Sequence, residues 1–305
     1  MNAEGMPVFG EDLLRRSRRR PGRVAVPRAD NQEALEALAM AMEDGVIQGG
    51  VLIGDPARIR ETATQAGLRL DPFELVSCED DGAACRHALG LAASGEVRFV
   101  LKGQVDTKVL LRALLDRSLG LVPEDRILTH VAMTGIPGHP RPLFFSDAAI
   151  LIAPTLAEKI QAVRNLVEVA SALGVPEPRV SLIAPVEKVN PRIEATVHAA
   201  EIARMASEGA FPGARVAGPH DLYIATSEEG ARIKGVRDAV AGNADALLFP
   251  DLNTANVFYK TLPRFLPGAW NAGIVAGARI PVLLPSRADP ALCKRMGIWL
   301  AAALA

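Results

Sequence analysis

The chain has 305 residues, which is long for a single hydrophobic core and suits two domains. Hydrophobic residues make up 49% of the chain and aromatic residues 4%, a balance typical of α/β proteins whose strands are buried on both faces. The formal net charge of −1 argues against broad electrostatic binding of nucleic acid or of a membrane surface, and it still allows a local basic pocket.

No apolar run is long enough to span a membrane, and the polar, arginine-rich N-terminal region lacks the pattern of a signal peptide. The three cysteines, Cys78, Cys85 and Cys293, have neither disulfide spacing nor metal-site spacing. We therefore expect a cytoplasmic protein that has no membrane or nucleic-acid partner.

The one charge run of the chain holds six arginines between Arg15 and Arg23. We interpret it as a solvated helix before a first strand at 24–26. An arm that binds nucleic acid and a contribution to binding an anionic ligand are the alternatives.

The first half of the chain alternates apolar runs with helical patterns. Asp30, followed three residues later by Glu33, has the form of a capping box and predicts a helix over 30–45. Further strands are predicted at 50–53, 73–77, 97–101 and 127–132, with helices between them.

The densest cluster of glycine and proline, at 135–142, predicts the boundary between two domains. Beyond it the alternation restarts. Strands are predicted at 143–152, 180–184, 246–249, 274–276 and 282–284. Helices are predicted at 155–173, 191–208, 253–265 and 290–303. This alternation predicts mostly parallel sheets flanked by helices.

Sequence fingerprints of common nucleotide and metal enzymes are missing. The chain has no Gly-x-Gly-x-x-Gly after a strand, no Gly-x-x-x-x-Gly-Lys-Ser/Thr and no His-Glu-x-x-His. The five histidines are scattered, so we expect no catalytic metal.

Polar side chains follow several predicted strands at the point where the strand ends. They are Lys102 with Gly103, Asp147 after Ser146, Glu187 with Lys188 and Asn190, Asn253 with Asn256 and Lys260, and Ser286 with Arg287 and Asp289. Ligands of α/β proteins bind at the carboxyl ends of strands, where free N–H groups of helix N-termini favour anions. Helix capping, a surface pair of Glu187 with Lys188, and satisfaction of buried backbone by Asp147 are the structural alternatives.

These segments resemble the phosphate acetyl/butyryl transferase family, and the butyryl branch more closely. The resemblance covers 97 to the C-terminus and rests on six ordered motifs. They are Leu-Lys-Gly-x-Val-Asp-Thr at 101–107, Ser-Asp-Ala-Ala at 146–149, Val-Glu-Lys-Val-Asn-Pro at 186–191, Ala-Gly-Asn-Ala-Asp at 241–245, Asn-x-x-Asn-x-x-Tyr-Lys at 253–260 and Ser-Arg-Ala-Asp at 286–289.

The resemblance implies the reversible reaction of an acyl-CoA with inorganic phosphate to give an acyl phosphate and coenzyme A, without a cofactor. It implies two α/β domains of the isocitrate/isopropylmalate dehydrogenase type with an interdomain cleft, one of residues 1–142 plus 276–305 and one of 143–275. It also implies a homodimer formed through the second domain, in which helices 156–173 and 193–205 supply apolar residues.

The resemblance assigns roles to individual residues. Arg287 is expected to hold phosphate, and Ser286 to hydrogen-bond the thioester or departing thiolate. Asp289 is expected to be the third catalytic residue. The expected substrate-binding residues are Lys102, Gly103, Asp147, Glu187, Lys188, Asn190, Asn243, Asn253, Asn256 and Lys260.

Two positions depart from the family pattern. The acetyl branch has an acidic residue seven positions after the serine, where this chain has Cys293, whereas Asp289 agrees with the butyryl branch. The Asp-Asn pair of the butyryl branch is replaced by Tyr223 and Ile224.

The closer resemblance to the butyryl branch leads us to expect a substrate whose acyl chain has about four carbons. The alternatives are a catalytically impaired protein that binds acyl-CoA or acyl phosphate, and a metal- and NAD-dependent decarboxylating dehydrogenase of related fold.

Overall fold

The computed structural model describes residues 7–285 and 289–305. Its elements, in chain order, are α1 (Gly10–Ser17), β1 (Gly22–Pro27), α2 (Gln32–Glu43), β2 (Ile47–Gly54), α3 (Pro56–Gln65), β3 (Phe73–Ser77), α4 (Asp81–Ala93), β4 (Phe99–Leu101), α5 (Thr107–Leu114), β5 (Thr129–Gly135), β6 (Leu143–Ser146), α6 (Leu156–Ala172), β7 (Arg179–Ile183), α7 (Glu194–Ser207), β8 (Arg215–His220), α8 (Leu222–Thr226), α9 (Glu228–Lys234), β9 (Ala246–Leu248), α10 (Leu252–Phe265), β10 (Trp270–Ala276), β11 (Val282–Leu283) and α11 (Ala291–Leu304).

The chain folds into two units. Unit 1 comprises Met1–Leu128 and Trp270–Ala305, and unit 2 comprises Thr129–Ala269. In the part of the chain that the structure describes, no helix is both long and apolar enough to cross a membrane.

The strands of unit 1 lie in the order β3-β2-β1-β4-β11-β10. Neighbouring strands pair in parallel, except β10 and β11, which are antiparallel. Val24, Ala25 and Val26 in β1 are 0% exposed. This continuous apolar run is typical of a parallel strand that is buried on both faces.

The C-terminal segment completes unit 1 through side-chain hydrogen bonds to the N-terminal region. The indole Nε1 of Trp270 donates to the carbonyl oxygen of Val8 at 2.7 Å. The indole Nε1 of Trp299 donates to Oδ2 of Asp44 at 2.8 Å, and Arg295 pairs with the same carboxylate. Because Asp44 is buried, this pairing supplies the partners that a buried charge requires.

The strands of unit 2 lie in the order β5-β6-β9-β7-β8. All neighbouring pairs are parallel except β5 with β6, which are antiparallel, as in the pair of Ala132 with Phe145. Residues 135–142 therefore reverse the chain between two paired strands of one unit. The structure divides the chain at 128/129 and 269/270, whereas the sequence predicted 142/143 and 275/276.

The predicted capping box at Asp30 is wrong. The N-cap of α2 is Asn31, whose Oδ1 accepts the backbone N–H of Ala34 at 2.8 Å. Asp30 is instead buried, and its two carboxylate oxygens lie 3.4 Å from Arg28 and 3.4 Å from Arg58. The carboxylate is thus used in ion pairs and not at the end of the helix.

Candidate active site

The turn after β4 forms one wall of a cavity in unit 1, which we call the Lys102 cavity. Its volume is about 270 Å³. It is lined by Asn31, Glu33, Ala34, Ala37, Leu101, Lys102, Gly103, Gln104, Val105, Asp106, Pro285 and Lys294. The cavity lies where parallel strands β1, β4 and β11 end, which is the usual position of a ligand site in an α/β protein.

Gly103 allows this turn to lie against the end of β1. A Cβ atom at Gly103 would lie 2.2 Å from the carbonyl oxygen of Arg28 and 2.5 Å from that of Pro27. The backbone N–H of Gly103 donates to Pro27 O at 3.2 Å, and that of Gln104 donates to Arg28 O at 2.8 Å. Only glycine fits this close approach, so Gly103 shapes the cavity through its backbone.

Two lysines contribute positive charge to the lining of the Lys102 cavity. The Nζ of Lys102 donates to the carbonyl oxygen of Val105 at 3.1 Å, which holds the ammonium beside the turn. Lys294 lines the same cavity from the first turns of α11. Of the two carboxylates on the lining, Asp106 accepts the N–H of Lys108 as the N-cap of α5, and Glu33 accepts from Asn31.

Lys294 was missed by the sequence interpretation, although a signal was present. A cation near a helix N-terminus opposes the helix dipole and is unfavourable there unless a ligand or partner compensates it. In the described residues, α11 also begins without a side-chain cap. Its first N–H groups and the Lys294 ammonium can together meet a negatively charged group.

Ser286 and Arg287 lie outside the described residues. Their neighbours Pro285 and Asp289 are described, and Pro285 lines the Lys102 cavity. Asp289 is half-buried and lies near enough to Cys293 for its charge to affect that thiol.

Cys293 occupies the position at which the acetyl branch has an acidic side chain. Burial, with a contribution from Asp289, raises the pKa of the Cys293 thiol from its usual 9.0 to about 11. The side chain is 4% exposed, and its Sγ accepts the backbone N–H of Asn271 at 3.4 Å. At neutral pH this thiol is protonated, so it is neither a base nor a strong nucleophile.

Asp147 is buried in unit 2 and bonds to the backbone around it. Its carboxylate accepts N–H bonds from His130 at 2.8 Å, Ala149 at 2.9 Å and Ile150 at 2.7 Å. These contacts leave the carboxylate little capacity to accept hydrogen bonds from a substrate, and they fix the loop that follows β6.

The segment after β7 holds three of the predicted binding residues. Glu187 is half-buried and pairs with Lys234 at 3.7 Å, and not with Lys188, which is exposed. Oδ1 of Asn190 accepts the N–H of Arg192 at 2.9 Å, which is a local turn contact. The structure thus favours a local structural role for Asn190 and leaves Lys188 accessible.

Asn243 belongs to a polar network at the edge of unit 2. Its Oδ1 accepts from Arg141 at 3.2 Å, and its Nδ2 donates to Glu228 at 2.9 Å. Arg141 also pairs with the buried Asp245, which receives Arg179 as well. The hydrogen bonds to Arg179 and Arg141 outweigh burial and lower the pKa of Asp245. Asn243 therefore contacts protein groups on both sides of its amide.

The predicted binding residues of α10 point to different surroundings. Asn256 donates from Nδ2 to the carbonyl oxygen of Ala148 at 2.9 Å, which ties α10 to the loop after β6. Asn253 and Lys260 are exposed. The helix begins at an N-cap, Asp251, that accepts the N–H of Thr254.

Tyr223 and Ile224, which stand where the butyryl branch has an Asp-Asn pair, lie at the start of α8 in different environments. Ile224 is 0% exposed and packs in the core of unit 2, whereas Tyr223 is 51% exposed.

In the described residues, no group of three or more His, Cys, Asp or Glu side chains is arranged to hold a metal ion.

Comparison with known proteins places this chain among phosphate acyltransferases. A family model described as phosphate acetyl/butaryl transferase matches residues 83–304. A phosphate butyryltransferase from Clostridium beijerinckii is 40% identical over 296 residues, with 97% of each chain covered. A phosphate acetyltransferase from Thermotoga maritima is 34% identical and covers 98% of this chain and 100% of its own.

A solved structure gives the same result. A branched-chain phosphotransacylase from Enterococcus faecalis V583 superposes with a TM-score of 0.82 at 30% identity, and the match covers 92% of this chain and 98% of the other. These relatives do not favour the dehydrogenase or the impaired binding protein. The chain therefore belongs to the phosphate acetyl/butaryl transferase family and is, by that membership, a phosphate acyltransferase.

Proposed function

We propose that the protein transfers a short acyl group between coenzyme A and inorganic phosphate, with a butyryl-like group as its preferred substrate. The observation that carries this proposal is the match to a phosphate butyryltransferase at 40% identity over 97% of the chain. The Lys102 cavity supports it, because two lysines line a space of about 270 Å³, which is large enough for a small anion.

The chemistry requires placement more than it requires a strong protein base. Inorganic phosphate at neutral pH is an oxygen nucleophile once it is desolvated and aimed at the thioester carbonyl. Positioning supplies about 7–11 kcal/mol of the barrier reduction, and an oriented donor supplies about 3–4 kcal/mol. We assign phosphate placement to Arg287, whose planar fork matches two phosphate oxygens, with Lys102 and Lys294 adding positive charge.

In the proposed mechanism phosphate attacks the thioester directly. As the carbonyl carbon becomes tetrahedral, negative charge develops on its oxygen and then passes to the departing sulfur. Ser286 is assigned to donate a hydrogen bond to that charge. Cys293 supports direct transfer, because its buried, protonated thiol does not serve as an acyl acceptor at neutral pH.

The remaining predicted residues divide by accessibility. We propose Lys188, Asn253 and Lys260 as substrate contacts, since their side chains are exposed. Asp147, Asn190, Asn243 and Asn256 are proposed to hold loops in place, and Glu187 to act through its pair with Lys234. Asp289 is proposed to act electrostatically on the segment around Cys293.

We further propose a homodimer formed through unit 2. The apolar residues that suggested a role for α6 are largely buried within the unit, including Val163 and Leu166. Support comes instead from exposed apolar side chains, with Ile152 at 73%, Val257 at 66% and Val197 at 39%. Light scattering that shows a monomer would contradict this proposal.

Three further expectations remain part of the proposal. The fold relation to isocitrate and isopropylmalate dehydrogenases is supported by the mostly parallel strand order of each unit. A cytoplasmic location is supported by the free thiols of Cys78, Cys85 and Cys293. Acyl-CoA and phosphate are proposed as the only reactants, without a cofactor.

The test is thiol release from butyryl-CoA, measured with and without phosphate. We expect release that depends on phosphate and is accompanied by butyryl phosphate, which hydroxylamine traps as the hydroxamate. Equal release without phosphate would indicate a thioesterase. Binding of butyryl-CoA without turnover would indicate the impaired binding protein.

A further inference from the structure

A second cavity, of about 600 Å³, lies in unit 2 at the carboxyl ends of β7, β8 and β9, and we call it the Lys159 cavity. Its wall is largely apolar and includes Leu222 and Phe249. Among the described residues of the lining, Lys159 is the one cation, and the carboxylates are Glu194, Asp221 and Asp251. The carboxylates outnumber the lysine, so the lining does not favour an anionic ligand. None of the six family motifs includes Lys159, and the proposed mechanism does not use it.

Lys159 is a buried lysine whose amine lies beside a proton acceptor. The residue is 4% exposed, and its Nζ lies 2.9 Å from Nδ1 of His198. Burial and the neighbouring charge of Lys159 lower the pKa of His198. The imidazole is therefore neutral at neutral pH, and its Nδ1 accepts a proton from the amine when the amine reacts.

The surroundings of Lys159 favour the neutral amine. Burial lowers the pKa of Lys159, although the charges of Glu194 and Asp251 act in the opposite direction. Lys159 also lies in the first turns of α6, where the helix dipole opposes a positive charge. A desolvated lysine whose neutral form is favoured is a nucleophile toward carbonyl carbon.

We propose that Lys159 is a site of self-acylation by a short acyl thioester whose acyl chain enters the Lys159 cavity. The Nζ lone pair attacks the thioester carbonyl carbon, a C–N bond forms and the C–S bond breaks. The proton that Nζ loses passes to Nδ1 of His198 and from there to the departing thiolate. The products are an N-acyl lysine, whose acyl chain lies against Leu222 and Phe249, and a free thiol.

The charge of the lining selects the class of acyl donor. A thioester is uncharged at its reacting end, whereas an acyl phosphate carries its negative charge there and is repelled by Glu194, Asp221 and Asp251. The identity of the natural donor as an acyl-CoA rests on the proposed function. The reaction at Lys159 itself needs neither phosphate nor Arg287.

The test treats the full chain with butyryl-N-acetylcysteamine, a neutral thioester, in the absence of phosphate and CoA. Mass spectrometry of the intact protein and of its peptides measures the acylation. We expect one butyryl group per chain, on Lys159, before the exposed lysines react. Lys159→Met should lose this fast addition. The control, Lys108→Met, removes an exposed lysine and should retain it.

Two further variants keep Lys159 and change its surroundings. Ala195→Phe fills the cavity and should abolish the fast addition. His198→Phe removes the proton acceptor and should slow the addition about a hundredfold. Thermal unfolding of both variants checks that they are folded.

The pH and the donor provide two more measurements. The rate of addition to Lys159 should level off at a lower pH than the rate at exposed lysines, because burial lowers the pKa of Lys159. With butyryl phosphate in place of the thioester, the ratio of modification at Lys159 to that at exposed lysines should fall about tenfold.

Modification of the exposed lysines without preference for Lys159 would overturn the proposal. So would fast addition to Lys159 that persists in both Ala195→Phe and His198→Phe. Failure of the proposed function is seen separately, as absence of phosphate-dependent thiol release. Arg287→Gln, which should lose most of that release, should be acylated at Lys159 as fast as the wild type, and slower acylation would contradict the inference.

Discussion

Arg287 is the residue on which the proposed chemistry depends most. Arg287→Gln should cost about 2–5 kcal/mol of transition-state stabilisation, roughly 30-fold to several-thousand-fold in kcat/KM, because the charge and the bidentate fork are both lost. Arg287→Lys keeps the charge and should be intermediate. The measurement is phosphate-dependent release of CoA. A Gln variant with wild-type kinetics would reduce the Ser286-Arg287 pair to a helix-capping role.

Lys294 should act on phosphate binding and not on the chemical step. Lys294→Met should raise KM for phosphate about fivefold with a small change in kcat, because it removes one of two ammonium groups from the Lys102 cavity. Lys294→Arg should restore most of the affinity. Lys108→Met, an exposed lysine of the same unit, is the control and should leave KM unchanged. An equal effect of both methionine variants would mean that only general surface charge is involved.

The buried cysteines predict how stability changes at high pH. Burial raises the pKa of both Cys85 and Cys293 from 9.0 to about 11. An acid with a higher pKa in the folded protein than in the unfolded chain loses its contribution as pH rises, because unfolding releases the proton. Stability should therefore hold below about pH 9 and decline toward pH 11.

Denaturant unfolding at pH 8 and pH 10.5 measures this decline. The free energy of unfolding of Cys293→Ala should decline less between these pH values than that of the wild type. Cys78 is half-buried, so the free energy of unfolding of Cys78→Ala should decline as much as that of the wild type. Identical pH dependence in all three proteins would show that other groups control alkaline unfolding.

At the scale of the element, the turn after β4 depends on one glycine. Gly103→Ala should lower the free energy of unfolding by about 2–4 kcal/mol and lower activity, because its Cβ would clash with backbone oxygens that cannot move independently. Gly90→Ala in α4 is the matched control. It meets nothing within 4 Å and should be neutral or stabilising by up to about 1 kcal/mol. Denaturant unfolding of both variants checks the prediction, which is contradicted if they behave alike.

The elements also show what the sequence alone could predict. The strands buried on both faces, such as β2 and β7, were located within three residues because their apolar runs are continuous. Strand β8 was missed because its sequence contains glycine and proline, which are tolerated at its position on the edge of the unit. Asp30 was misassigned because local spacing does not show that Arg58 approaches it in three dimensions.

The candidate site was predictable to a similar extent. The strand-end motif at Lys102 and Gly103 indicated the cavity, because parallel strands deliver their carboxyl ends to one edge. Lys294 and Asn31 join that cavity from elements distant in sequence, so only the folded chain brings them to it. Asp147 and Asn243 are polar residues of family motifs whose partners proved to be protein groups.

At the scale of the whole molecule, the expected property is preference for an acyl chain. A pocket that fits butyryl should favour it over acetyl by about 1.6 kcal/mol, roughly fifteenfold in kcat/KM, because each buried methylene contributes about 0.8 kcal/mol. The replacement of the butyryl branch's Asp-Asn pair by Tyr223 and Ile224 does not place two bulky side chains in one pocket, because Ile224 is in the core and Tyr223 is half exposed. We therefore expect the butyryl preference to survive it.

Catalytic efficiency with acetyl-, propionyl- and butyryl-CoA at fixed phosphate measures this preference. The rise should be stepwise, about fourfold per methylene, and should level off where the chain exceeds the pocket. Tyr223→Ala should leave the ratio of butyryl to acetyl within about twofold if Tyr223 faces solvent throughout turnover. An acetyl preference would assign the chain to the other branch of the family and leave the reaction class unchanged, because both branches transfer the acyl group to phosphate. A ratio that collapses only in the Tyr223 variant would instead show that this exposed ring contacts the acyl chain during turnover.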